Sequence, residues 1–378
     1  MELRDGRLWM LLRTSQDYHY ESYSADGGAS WSPAEPSRFV GSLTMPTLHR
    51  LPDDRILLLW NNTMSMPEPS ADVRQRINPG YNPKTQRPYV LAFTNRDALH
   101  AAISADEGKT WTGFREVWLN ELRNADDLEE RGGVDLSVHQ TQVVDLPNGN
   151  VLISAGQHRD ARVLLIFNPD WLDETQRIED FGGDLEGWSV HQYIASAVGH
   201  RRYNRKVGPA IVADASAVNG KALHLNRTAD PKLLVENDGA VWNFPAGQRG
   251  TLMTRVKLPA GSQGGRISLL DRWMNPTDPT AHLFATTSIQ VEADGRINST
   301  SARLIPGQWH QLLLSWDKVD DEENAVVTLQ LDGNEKLHAL PIRNIAVNGL
   351  SYAHFFATAV QEDETGFLVD FVRAKRLD

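Results

Sequence analysis

Three stretches of the chain share one pattern of polar and apolar positions. Asp5-Gly6 leads into Arg7-Leu8-Trp9-Met10-Leu11-Leu12, and Leu51-Pro52-Asp53-Asp54 leads into Arg55-Ile56-Leu57-Leu58-Leu59-Trp60. Leu146-Pro147-Asn148-Gly149 leads in the same way into Asn150-Val151-Leu152-Ile153. A tight-turn dipeptide followed by a short apolar run predicts a hairpin entering a strand buried on both faces. A second pattern follows the first two copies. Ser24-Ala25-Asp26-Gly27-Gly28-Ala29-Ser30-Trp31 and Ser104-Ala105-Asp106-Glu107-Gly108-Lys109-Thr110-Trp111 both read Ser-x-Asp-x-Gly-x-(Ser/Thr)-Trp. These are β-turns in which the Asp carboxylate accepts backbone N–H groups. Gly supplies a conformation closed to other residues, and Trp fills the apolar gap beneath.

The second pattern is the Asp-box. With the strands before it, it resembles the six-bladed sialidase (neuraminidase) propeller superfamily over roughly residues 1–172. The resemblance implies that the boxes are structural and lie away from the catalytic face. On this reading residues 1–40 form a blade lacking most of its first strand, and 41–118 form a second with a long insert from Met64 to Pro88. Residues 135–172 form a third, which ends without an Asp-box. Three blades fall short of the usual minimum of about four. The expectation is therefore a partial, N-terminally truncated propeller over residues 1–175.

From about Phe181 the texture changes. Strand candidates follow at Ala222–Leu225, Gly250–Lys257, Gly265–Leu270, Ser288–Glu292, Trp309–Trp316, Val326–Leu331 and Phe367–Ala374, with turns such as Asp294-Gly295 and Asp332-Gly333 between them. Short alternating strands at this spacing predict a β-sandwich over residues 176–378. The run Gly307 to Asp317, with the later Gly366-Phe367-Leu368-Val369-Asp370, resembles concanavalin-like and laminin-G-like jelly rolls. The fold class read from the sequence is all-β, a partial sialidase-like propeller followed by a jelly-roll sandwich.

Composition narrows the function. The net charge of −11 argues against nucleic acid, which needs clustered Lys and Arg. It also means that local arginines would bind an acidic ligand against an unhelpful overall field. No cysteine is present, which excludes disulfides, thiolate catalysis and cysteine metal sites. The twelve histidines show no metal-ligand spacing, and no phosphate-cradling Gly loop or serine elbow occurs. No metal or cofactor is expected. No apolar run approaches the ~20 residues of a membrane span, and Met1 to Gly6 has no signal-peptide character. The resemblance implies a secreted or periplasmic protein if the N-terminus is truncated.

The resemblance also implies an arginine triad that holds a sugar carboxylate, a Tyr nucleophile paired with a Glu, and an Asp acid/base. Arginine suits the first role because its planar fork matches a carboxylate in two parallel hydrogen bonds. Arg13 closes the apolar run before the first box and Arg96 precedes the strand leading to the second, where the family carries triad arginines. The Tyr position falls at Gln140, which cannot be a nucleophile, and the Glu position leaves only Glu2. His139 is a candidate general base, with a structural histidine as the alternative. His158 and Asn61 are candidates to line the cleft, Asn62 lies beside Asn61, and the acidic run Asp126, Asp127, Glu129 and Glu130 reads as a solvated loop.

The expected function is recognition of an acidic glycan or polysaccharide by a sialidase-like glycan-active protein, a glycoside hydrolase if it turns over. The alternatives are a non-catalytic, lectin-like carbohydrate binder and a truncated gene fragment. Three blades side by side would leave open flanks, closed by a homodimer or covered by the sandwich.

Overall fold

The computed structural model describes residues 1–64, 96, 98–125, 137–156, 162–190, 208–229 and 236–378. The first ten strands form three antiparallel sheets of propeller-blade type. β1 (Leu8–Leu12), β2 (Tyr18–Ser24) and β3 (Glu35–Val40) make the first. β4 (Thr47–Arg50), β5 (Ile56–Trp60), β6 (Ala98–Ser104) and β7 (Thr112–Leu119) make the second. The third contains β8 (Gln142–Asp145), β9 (Val151–Ala155) and β10 (Val163–Phe167). The predicted turns take left-handed backbone conformations at Gly6, Asp54 and Gly149, with φ of 84°, 74° and 80°.

Burial of the three apolar runs differs, and position explains it. Every residue of β5 is buried, because the second blade has a neighbour on each face. β9 buries Val151, Ile153 and Ala155 against the second blade and leaves Leu152 and Ser154 partly open. β1 buries only Trp9 fully and exposes Met10. Burial on both faces thus holds for the middle blade alone.

The two Ser-x-Asp turns superpose bond for bond. Asp26 Oδ1 accepts from Ser30 N (2.8 Å) and Ser24 Oγ (2.8 Å), and Asp106 Oδ1 accepts from Thr110 N (2.8 Å) and Ser104 Oγ (2.9 Å). These bonds hold the Asp26 carboxyl down at about 2, the Ser30 hydroxyl contributing most. Trp111 plugs the gap as expected, 8% exposed against Trp9 and Phe39. Trp31, in the outer blade, is 38% exposed. A ring needs a neighbouring blade to cover it, and here only the second turn faces one.

The chain then passes through a 3₁₀ turn at Pro169–Asp173 into β11 (Gln176–Glu179) and β12 (Trp188–Ser189). β13 (Ala210–Ala213), β14 (Lys221–Arg227), β15 (Gly239–Gly247), β16 (Gly250–Lys257), β17 (Gly264–Leu270) and β18 (Thr287–Glu292) follow. β19 (Trp309–Asp317), β20 (Val326–Leu331), β21 (Leu337–Ala339), β22 (Leu350–Ala357) and β23 (Asp363–Arg376) complete the chain. An eight-stranded sheet runs β13-β14-β23-β16-β19-β20-β21, with β11 also on β23, and a five-stranded sheet runs β12-β15-β22-β17-β18. Their facing sides enclose one core that includes Trp188, Trp242, Phe244, Leu252, Leu314 and Phe355. The predicted strands Gly250–Lys257 and Val326–Leu331 are found with those bounds. β15 and β22 were not foreseen. All seventeen of their residues are buried, so they lack the alternation that marks a half-buried strand.

That burial has a structural cause: the second face of the five-stranded sheet lies on the blades. Phe114 sits at a register shift of β7, the edge strand of its sheet, and Asn243 of β15 donates to Phe114 O and accepts from Glu116 N–H. Asn62 N–H donates to His100 Nδ1 (3.1 Å), which places the ring proton on Nε2. Nε2–H donates in turn to the Tyr352 oxygen, and Tyr352 O–H donates to Glu116 Oε1 (2.7 Å). Burial pushes the His100 imidazole down to about 3, which keeps this chain neutral at His100. The sandwich therefore packs on the second blade within one chain. It does not cover the outer face of the third blade, where Val144, Leu164 and Ile166 are exposed.

Candidate functional site

β5 enters from the Asp53-Asp54 turn and β6 leaves into the Ser104–Trp111 turn, so Asn61 and Arg96 lie at the opposite end of these antiparallel strands. The segment before β8 and the loop after β3 reach the same end. Asn61 Nδ2 donates to Ala98 O (2.6 Å) and Val138 O (3.2 Å), joining the second blade to the third. Val138 N–H donates to Arg96 O (2.6 Å). The Arg96 guanidinium reaches His139 Nε2 from Nη1 (3.4 Å) and donates from Nη2 to Leu43 O. All three side chains are buried: Asn61 at 0%, Arg96 at 4% and His139 at 2% exposure. Thr141 Oγ1 donates to Thr47 Oγ1 (2.7 Å), and Thr63 Oγ1 to Ser42 Oγ (3.1 Å), extending the polar cluster.

Arginine can only donate, so His139 Nε2 faces Arg96 with its lone pair. A proton on that nitrogen would displace the contact and set two cations together. The contact suits His139 to orienting Arg96.

Three of the five candidates from the sequence, Arg96, His139 and Asn61, are thus brought together. Arg13 is exposed just past β1 and makes no ion pair among the described residues. His158 lies outside the described residues, as does the run Asp126, Asp127, Glu129 and Glu130. Gln140, at the expected Tyr position, is exposed with φ of 58°. Glu2 O accepts from Arg50, which also pairs with Glu107, so Glu2 sits at the turn end of the blades, away from Arg96. Among the described residues no group of three His, Asp or Glu is arranged to hold a metal, and no helix is long and apolar enough to cross a membrane.

The sandwich adds residues that the sequence did not point to. Asn62 Nδ2 donates to Asp271 O (3.0 Å), and Thr63 forms a parallel bridge with Trp273. Arg272 pairs with Asp271 through both carboxylate oxygens (2.6 and 2.9 Å) and lies over Tyr18. Asn62 and Asp271 are 209 residues apart, and no local pattern around Asp271 announces the contact.

A family model described as a BNR repeat-like domain matches residues 1–129. No curated protein matches the chain. Among solved structures the whole chain aligns with a sialidase at 14% identity and a TM-score of 0.35, covering 32% of that protein. It also aligns with Trypanosoma rangeli sialidase in complex with sialic acid (11%, TM-score 0.31, 100% of this chain and 60% of that one). LamA from Z. galactanivorans, solved with laminaritriose and laminaritetraose, aligns over 54% of this chain and 99% of its own (16%, TM-score 0.35). The chain spans about a third of the length of the first of these.

Proposed function

We propose that the chain is a sialidase-like glycan-recognising protein that holds the carboxylate of an acidic sugar with Arg96. The observation that supports this reading is the gathering of Arg96, His139 and Asn61 at one end of the blades, opposite the Ser-x-Asp turns. His139 and Leu43 O orient the fork, and Asn61 ties the strands that carry it. Covalent hydrolysis through Tyr and Glu forms no part of the proposal. Gln140 stands where that Tyr would be, and Tyr352, which does meet a Glu, is fully buried.

Calorimetric titration with N-acetylneuraminic acid and with glucuronic acid tests the reading on wild type, Arg96→Ala, Arg96→Lys and Arg13→Ala. Losing a charge-assisted fork is expected to weaken binding about tenfold to hundredfold in Arg96→Ala, with Arg96→Lys intermediate. A folded Arg96→Ala protein that binds both sugars as wild type does would refute the assignment.

The same reading places a second copy on the open flank of the third blade. Val144, Leu164 and Ile166 are 58%, 74% and 62% exposed, and Met10 on the outer flank of the first blade is 37% exposed. Two chains related by a two-fold axis would set one flank on the other, in the way the second and third blades already pack. Light scattering behind size exclusion is expected to give twice the chain mass, reduced to the monomer by Ile166→Glu; a wild-type monomer would discard the two-fold dimer.

A further inference from the structure

A cleft of about 550 Å³ lies outside the cluster just described, between β7 and the linker that leads into the sandwich. That volume is within the range of small-molecule sites, about 300–1,000 Å³. Trp118 and Trp171 supply aromatic surface to it. Two buried donors on this wall, Trp118 Nε1 and Arg115 Nε, make no hydrogen bond. Buried donors are seldom left so, because each forfeits its water without replacement.

The charges decide the class of ligand. Three arginines border the cleft, but their forks are engaged. Arg115 lies 4.1 Å over the Trp171 ring and reaches Glu174 (3.4 Å). Arg123 donates to the carbonyls of Trp188, Asn120 and Glu186, and Arg177 to those of Asn243 and Gly187. Four carboxylates, Glu116, Glu121, Asp184 and Glu186, border the same space, so the lining sums to about −1. An anion would meet these acids with no arginine fork open to it. A cation would meet three guanidiniums. A neutral polyhydroxyl ligand suits both: its hydroxyls donate to the carboxylates, while its C–H face lies on an indole ring.

We propose that this cleft is a second binding site, for a neutral oligosaccharide segment, independent of the Arg96 cluster. Quenching of tryptophan fluorescence, with calorimetry, using cellotriose, laminaritriose, maltotriose, xylotriose and trigalacturonic acid provides the test on the full chain. At least one neutral trisaccharide is expected to bind saturably. Trp118→Ala should weaken it about tenfold or more and Glu121→Gln about fivefold, with Trp118→Phe between wild type and Trp118→Ala. Arg96→Ala should leave this binding unchanged, which separates its failure from that of the acidic-sugar reading. Should Trp118→Ala not fold, Trp118→Phe and the exposed Glu121→Gln decide. The proposal is overturned by no saturable binding of any neutral probe at about 10 mM, well above typical micromolar to millimolar affinities. It is equally overturned by binding indifferent to these substitutions, by loss of binding in Arg96→Ala, or by tighter binding of trigalacturonic acid.

Discussion

Asn243→Ala is expected to destabilise the protein by roughly 2–4 kcal/mol, about 1–3 kcal/mol for each buried polar group left unpaired less what relaxation recovers. Asn243 is 1% exposed and acts as a ladder partner in side-chain form. Its Oδ1 accepts from Glu116 N (3.1 Å), and its Nδ2 donates to Phe114 O (3.1 Å) and Ser351 O (3.1 Å). Truncation to a methyl group removes all three bonds in a place that water cannot reach without separating β15 from β7. Asn243→Asp keeps an acceptor for Glu116 N–H but presents oxygen to two carbonyls, and is expected to cost at least as much. Urea unfolding of wild type and both variants measures the difference. A change within about 0.5 kcal/mol, the usual range of surface substitutions, would show that the junction does not depend on this side chain.

Acidification is expected to destabilise the fold from about pH 6.5 downwards. Burial holds the imidazoles of His19, His100 and His354 at about 4, about 3 and about 4. The unfolded chain takes up a proton on each near pH 6.5, and the folded chain does not. Each histidine therefore favours unfolding by up to about 1.4 kcal/mol per pH unit, and the three together by up to about 4. Their stability is complete above pH 6.5 and is lost as the pH falls through the folded values near 4 and 3. Burial raises the carboxyls of Glu116, Asp278 and Asp370, which oppose this trend, but only once the pH nears their own folded values. The slope should thus set in near pH 6.5 and be almost fully developed by about pH 5.5. Urea midpoints between pH 7.5 and 5.5 would reveal it. His354→Gln, which can still donate to Pro276 O in place of Nε2 (2.8 Å), should remove about a third of the slope. A flat profile would mean that these rings reach solvent.

Much of the fold was legible where a strand has one wet face. β16, β19 and β20 alternate buried and open residues along their length, and their bounds could be read to within a residue. The Ser-x-Asp turns were legible for a different reason: donors and acceptor lie within six residues, so the motif carries its whole hydrogen-bond pattern. β15 and β22 were not legible. Asn243, Tyr352 and His354 read as loop or surface in isolation, and each is admitted to a buried strand by a partner elsewhere. For Asn243 it is Phe114 and Glu116, for Tyr352 it is Glu116 and His100, and for His354 it is Pro276.

The candidate site divides along the same line. Arg96 and Asn61 could be singled out because they follow or precede apolar runs in a repeat, and repeats place equivalent residues at equivalent strand ends. Sequence alone therefore determined the all-β class, the blade repeats, the alternating strands of the sandwich and the end of the blades on which these residues fall. Only the tertiary structure decided that His139 meets Arg96, that Asp271 comes to Asn62 from 209 residues away, and that Glu116 is joined to His100 through Tyr352. Such contacts join surfaces whose hydrogen-bond needs are each incomplete. The complement of an unpaired group is set by which sheet lands upon it, and nothing in the neighbouring residues records that.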